Sequence, residues 1–96
     1  MRVTLIADSG ATKCEWCLLV DGKKKKTILT DGLSPYFLTA NEITALLEKH
    51  LLPKIKNFPP KNIFFYGTGL ANPANAKVIH SVLKSLFSKA KIEINN

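Results

Sequence analysis

The stretch from Val3 to Val20, VTLIADSGATKCEWCLLV, decides how the rest of the chain is read. Two short apolar runs, Val3-Thr4-Leu5-Ile6-Ala7 and Trp16-Cys17-Leu18-Leu19-Val20, flank the polar segment Asp8-Ser9-Gly10-Ala11-Thr12-Lys13. Apolar runs of this length joined by a Gly-containing turn predict a β-hairpin. Nearly every residue of the turn suits phosphate chemistry. Asp8 ends the first strand with a carboxylate that can hold Mg²⁺ through its waters. Gly10 lacks a Cβ and lets a ligand come close to the backbone. The N–H groups from Gly10 to Lys13 can form a concave anion nest, to which Thr12 adds a hydroxyl and Lys13 an ammonium. The same composition also suits a plain tight hairpin in which Asp8 caps its own turn.

Ninety-six residues allow one domain, and a chain of this size buries only about 60–65% of its unfolded surface. Apolar residues make up 46% and charged residues 22%, as in an ordinary globular protein. No apolar run nears the ~20 residues a transmembrane helix requires, and the few apolar residues after Met1-Arg2 are too short for a signal peptide. The expectation is a cytoplasmic protein with no membrane partner. The net charge is +7, but among the fourteen basic residues only Arg2 is Arg. Without the bidentate Arg fork, and with Lys residues dispersed along the sequence, the charge reads as solvated faces and no nucleic acid is expected. Cys14 and Cys17 form a C-x-x-C, yet strand residues three apart point to opposite faces. Buried reduced thiols are expected rather than a zinc or redox pair.

Strand 1 is predicted over about residues 2–7 and, being almost continuously apolar, is expected to be buried on both faces. Strand 2 follows at about 14–20. Asp21-Gly22 and four Lys lead through an exposed turn into strand 3 at about 25–31, where edge charge discourages aggregation. Gly32-Leu33-Ser34-Pro35-Tyr36 is a loop. Thr39 and Glu42 match a capping box, and Ile43, Leu46, Leu47, His50 and Leu51 at helical spacing predict a helix over about 40–51. Pro53 kinks or ends it. After Pro59-Pro60 the run Asn62–Tyr66 is a short strand that ends at Gly67-Thr68-Gly69. Asn72 as N-cap and Pro73 at the first position open a helix over about 73–88, and Lys91–Ile94 is a last strand.

The order β-β-β-α-β-α-β implies an α/β fold: a mixed sheet with helices packed on its faces. This is the ribonuclease H-like half-domain from which actin-like ATPase lobes are built. ADSGATKCEWCLL resembles the first phosphate-binding motif of the sugar kinase, Hsp70 and actin superfamily. Within it the chain is most similar to the N-acetylglucosamine kinase-like and BadF/BadG-type ATPase group, whose signature D-[SG]-G-x-[ST]-[KR] is filled from Asp8 to Lys13. The order of GLSPYF, the capped helix, FYGTG and the closing strand also follows that group.

The resemblance implies a lobe that binds ATP with Mg²⁺, with Asp8 as the metal-associated carboxylate. Ser9, Gly10, Ala11, Thr12 and Lys13 would form the cradle for the β- and γ-phosphates. It further implies that the loops holding Ser34 and Tyr36, and Gly67, Thr68 and Gly69, face a small-molecule sugar. Ser34 stands where the group often has Asn, and Ser34 and Tyr36 are equally well ordinary turn residues. The general-base Asp of the group is expected beyond Asn96, in a protein whose second lobe this chain lacks. The expected function is therefore the N-terminal lobe of an ATP-dependent amino-sugar kinase, inactive alone and prone to pair as a homodimer. The alternatives are a lobe of a BadF/BadG-type ATPase serving a reductase or dehydratase, and a non-catalytic interaction module. A nuclease of this fold requires several carboxylates around two metals, and only Asp8 stands at a strand end.

Overall fold

The computed structural model describes residues 1–96. The chain forms β1 (Val3–Ser9), β2 (Lys13–Val20), β3 (Lys23–Asp31), α1 (Ala40–His50), α2 (Leu52–Ile55), β4 (Asn62–Gly67), α3 (Pro73–Leu86) and β5 (Lys91–Asn95). The five strands make one sheet in the order β3-β2-β1-β4-β5, antiparallel from β3 to β1 and parallel from β1 to β5. It is the mixed sheet expected from the order of elements.

Local sequence signals explain the boundaries. Thr39 and Glu42 close a reciprocal capping box, the Thr39 Oγ1 accepting from the Glu42 N–H at 3.2 Å and the Glu42 Oε1 from the Thr39 N–H at 2.9 Å. The Asn72 side chain accepts the Ala74 N–H at 2.9 Å, with Pro73 opening α3 where no N–H is required. Pro53 does end α1, but the chain then makes a further helical turn, α2, that seats Ile55 in the core. The four Lys from Lys23 to Lys26 belong to β3 itself, at the exposed edge of the sheet.

The two long helices, α1 and α3, lie on one face. Val3, Leu5 and Ala7 of β1, Cys14, Trp16 and Leu18 of β2, and Ile63 and Phe65 of β4 are buried there against Ile43 and Leu47 of α1 and Ile79 and Leu83 of α3. The Trp16 ring meets Phe65 edge-on, 5.9 Å between centroids, and its Nε1–H donates to Thr30 Oγ1 at 3.0 Å. On the other face Ile6, Cys17, Leu19 and Phe64 are only half-buried, and Leu29 is 62% exposed. Two expectations are corrected here: β1 is buried on one face only, and the helices do not cover both sides. An unbroken apolar run is equally compatible with one well-packed and one half-open face, because periodicity reports polarity and not cover.

Candidate functional site

In an open sheet the crevice for a ligand forms at the carboxyl ends of parallel strands, where neighbouring strands continue in opposite directions. Here that point lies between β1, which turns outward into β2, and β4, which runs into α3. A cavity of about 340 Å³ occupies it, lined by Asp8, Ser9, Tyr66, Gly67, Thr68 and Asn96. The predicted turn and the predicted Gly-rich loop, nearly sixty residues apart in sequence, thus meet because β1 and β4 pair in parallel, Asp8 opposite Tyr66 and Ser9 opposite Gly67. The Thr68 N–H donates to the Ser9 carbonyl at 3.2 Å and fixes one loop to the other.

The hairpin turn closes through the Gly10 N–H, which donates to the Lys13 carbonyl at 2.8 Å. The N–H groups of Ala11 and Thr12 find no acceptor within the protein. Ala11, Thr12 and Lys13 are exposed, as is Asp8. A Cβ built on Gly10 would meet nothing nearer than the Lys13 carbonyl at 3.7 Å. Packing within the chain does not require glycine there. Of the turn, Asp8 and Ser9 line the cavity and Gly10 to Lys13 do not. Two free amides, an ammonium, a hydroxyl and a carboxylate within six consecutive residues are the donor types a metal-bound polyphosphate takes.

Ser9 and Ser34 are turned the other way. Ser9 is 2% exposed, and its Oγ accepts the Leu33 N–H at 2.9 Å. Ser34 is buried as well, its carbonyl accepting the N–H groups of Phe37 and Leu38 and its hydroxyl that of Tyr36. Both side chains hold the loop after β3 in place. Tyr36 reaches out, 64% exposed, with its ring packed on Gly69. Gly69 has φ +76°, a conformation glycine adopts freely, and a Cβ there would strike the ring.

Sequence reasoning missed Gly32. It is buried directly beneath the turn, where an added Cβ would collide with the carbonyls of Gly10 and Ala11. Residues 32–36 therefore act as a strap: Gly32 and Leu33 underlie the turn, while Tyr36 touches the Gly-rich loop. Nothing local marks Gly32, because the atoms it must avoid lie about twenty residues earlier in the chain. Cys14 sits behind the same turn, and burial pushes its thiol up to about 12, outweighing its hydrogen bonds to Ser9 and Thr30. Cys17 lies on the open face, so the two thiols are parted as the strand geometry predicts.

A crystal structure of a Porphyromonas gingivalis protein, assigned as an N-acetylglucosamine kinase, matches with a TM-score of 0.86 and 34% identity over 96% of this chain. This chain spans 33% of that one. T. thermophilus RuvC, solved with a Holliday junction substrate, matches with a TM-score of 0.59 and 15% identity over 98% of this chain and 64% of its own. That identity carries the fold alone. No protein-family model and no curated protein matches the chain.

Proposed function

We propose that this chain, a ribonuclease H-like lobe of the sugar-kinase kind, is the phosphate-binding half of an ATP-dependent kinase for an amino sugar. The reading rests above all on the unbonded Ala11 and Thr12 amides in the turn that follows Asp8. The likeness to the Porphyromonas gingivalis protein supports the substrate class.

Phosphoryl transfer asks little covalent chemistry of a protein; it asks for positioning and for neutralisation of charge. Ala11 and Thr12 would donate to phosphate oxygens, Thr12 adding its hydroxyl, and the Lys13 ammonium would offset their charge. Asp8 would hold Mg²⁺ through water, and the ion would supply charge neutralisation for the phosphates. Ser9 positions the turn from below through Leu33. Gly67, Thr68 and Gly69, with Tyr36 against them, would border the sugar at the neighbouring strand end. No group of three or more His, Cys, Asp or Glu side chains is gathered anywhere in the fold. A single carboxylate at the end of β1 suits one water-bridged ion.

Calorimetric titration of the chain tests the reading. Mg-ATP should bind, and Asp8→Asn should weaken it about tenfold, the loss of roughly one charge-assisted contact of 1–2 kcal/mol. The chain alone should show no sugar phosphorylation, since it offers one side of the cleft. Turnover by the isolated chain that vanishes in Asp8→Ala would overturn this account.

A further inference from the structure

Lysines scattered through the sequence are gathered by the fold. The strands place the amino ends of β1, β4 and β5 and the start of β3 at one end of the sheet, opposite the cleft. One row across that end runs from Lys24 through Leu19, Thr4 and Asn62 to Lys91. α3 starts at the cleft end, after β4, and finishes at this one, bringing Lys84 beside Ala90. The connections there add Lys54, Lys56, Lys61 and Lys89. Of the fourteen basic residues, Lys13, Lys49 and Lys77 are the ones that do not join this end. The carboxylates divide the opposite way: Asp8, Glu15, Asp31 and Glu42 lie towards the cleft, Glu93 sits in the middle of β5, and Asp21 lies at the basic end.

Helix C-termini account for part of this charge, since they attract cations. Lys84 Nζ donates to the Ala90 carbonyl at 2.9 Å, and Lys26 Nζ to the Lys54 carbonyl at 2.8 Å. The other ammoniums at this end make no hydrogen bond within the protein, and all are exposed. Three of them, Lys61, Lys89 and Lys91, rim a depression of about 510 Å³ floored by Pro59, Pro60 and Asn62.

The composition selects the partner. Protein interfaces are depleted in Lys and enriched in Arg and aromatic residues. Nucleic-acid readout favours Arg, and single strands call for exposed aromatic rings. This end has one Arg, and the exposed aromatics Tyr36, Phe37 and Tyr66 lie at the cleft end. What suits dispersed, exposed ammoniums is a plane of anionic headgroups, where Lys acts as a point charge. Met1, 66% exposed beside Arg2, supplies an apolar contact at the same end. We propose that the basic end is a docking surface for an anionic phospholipid bilayer, which holds the cleft facing away from the membrane. The expectation of no membrane partner came from the missing transmembrane run, which says nothing of surface attachment.

Co-sedimentation with vesicles tests this independently of nucleotide binding. The chain should pellet with vesicles of phosphatidylcholine mixed with phosphatidylglycerol, not with phosphatidylcholine alone, and should be released as salt rises. Combined Lys61→Gln, Lys89→Gln and Lys91→Gln should lower partitioning on the order of a hundredfold, at about 1 kcal/mol per basic residue. Lys77→Gln, at the other end, should leave it unchanged. These side chains are exposed, and circular dichroism will report any loss of fold. Equal binding to neutral vesicles, full binding by the triple variant, or duplex DNA bound as tightly as the anionic vesicles at the same salt would overturn the proposal.

Discussion

Gly10 and Gly32 face each other across one peptide of the turn and put the same missing methyl group to opposite uses. At Gly10 a Cβ would make only an ordinary contact with the Lys13 carbonyl, so Gly10→Ala should keep stability within about 0.5 kcal/mol and still weaken Mg-ATP binding. At Gly32 a Cβ would strike backbone, so Gly32→Ala should cost about 1–3 kcal/mol through overpacking and weaken binding too. Thermal melts paired with titration separate the two; equal melting losses would contradict the assignment. Cys14 gives a second prediction at this scale. Its thiol is raised from 9.0 to about 12, so its contribution is fully present below pH 9 and lost as pH rises towards 12. Over that window stability should fall by up to about 1.4 kcal/mol per pH unit, and Cys14→Ala should remove that part of the slope. Of these residues, the turn's chemistry was legible from residue types alone. The inward-facing hydroxyl of Ser9 and the place of Gly32 were not, because both depend on a strap that returns from after β3.

Single elements show where pattern suffices and where it fails. The caps at Thr39 and Asn72 were readable because a cap is a local hydrogen bond between residues two or three apart. The cover over β1 was not, because it depends on which side α1 and α3 settle. Adjacent residues of β1 test that one-sided packing. Leu5, fully buried under the helices, should cost about 3–5 kcal/mol when changed to Ala. Ile6, half-buried on the open face, should cost less than about 2 kcal/mol. Denaturant titrations giving equal losses would show that both faces are covered. The second helical turn after Pro53 went unread for a related reason: four residues carry too little periodicity to see.

The whole molecule is polar along its strands, with a cleft bearing carboxylates and free amides at one end and a lysine surface at the other. Neither end is visible as such in the sequence, since antiparallel and parallel pairing fold distant segments onto each level of the sheet. What the sequence does disclose is the order of elements, and from that order the meeting of the turn with the Gly-rich loop follows. The central claim is that the turn receives a polyphosphate through the amides of Ala11 and Thr12 with help from Asp8. Amide NMR of the chain during titration with Mg-ATP tests it most directly. The account predicts that the Ala11 and Thr12 resonances move first and furthest, that the shifts shrink without Mg²⁺, and that Asp8→Asn suppresses them. Binding that left those two amides unmoved, or shifts indifferent to both the metal and Asp8, would contradict it.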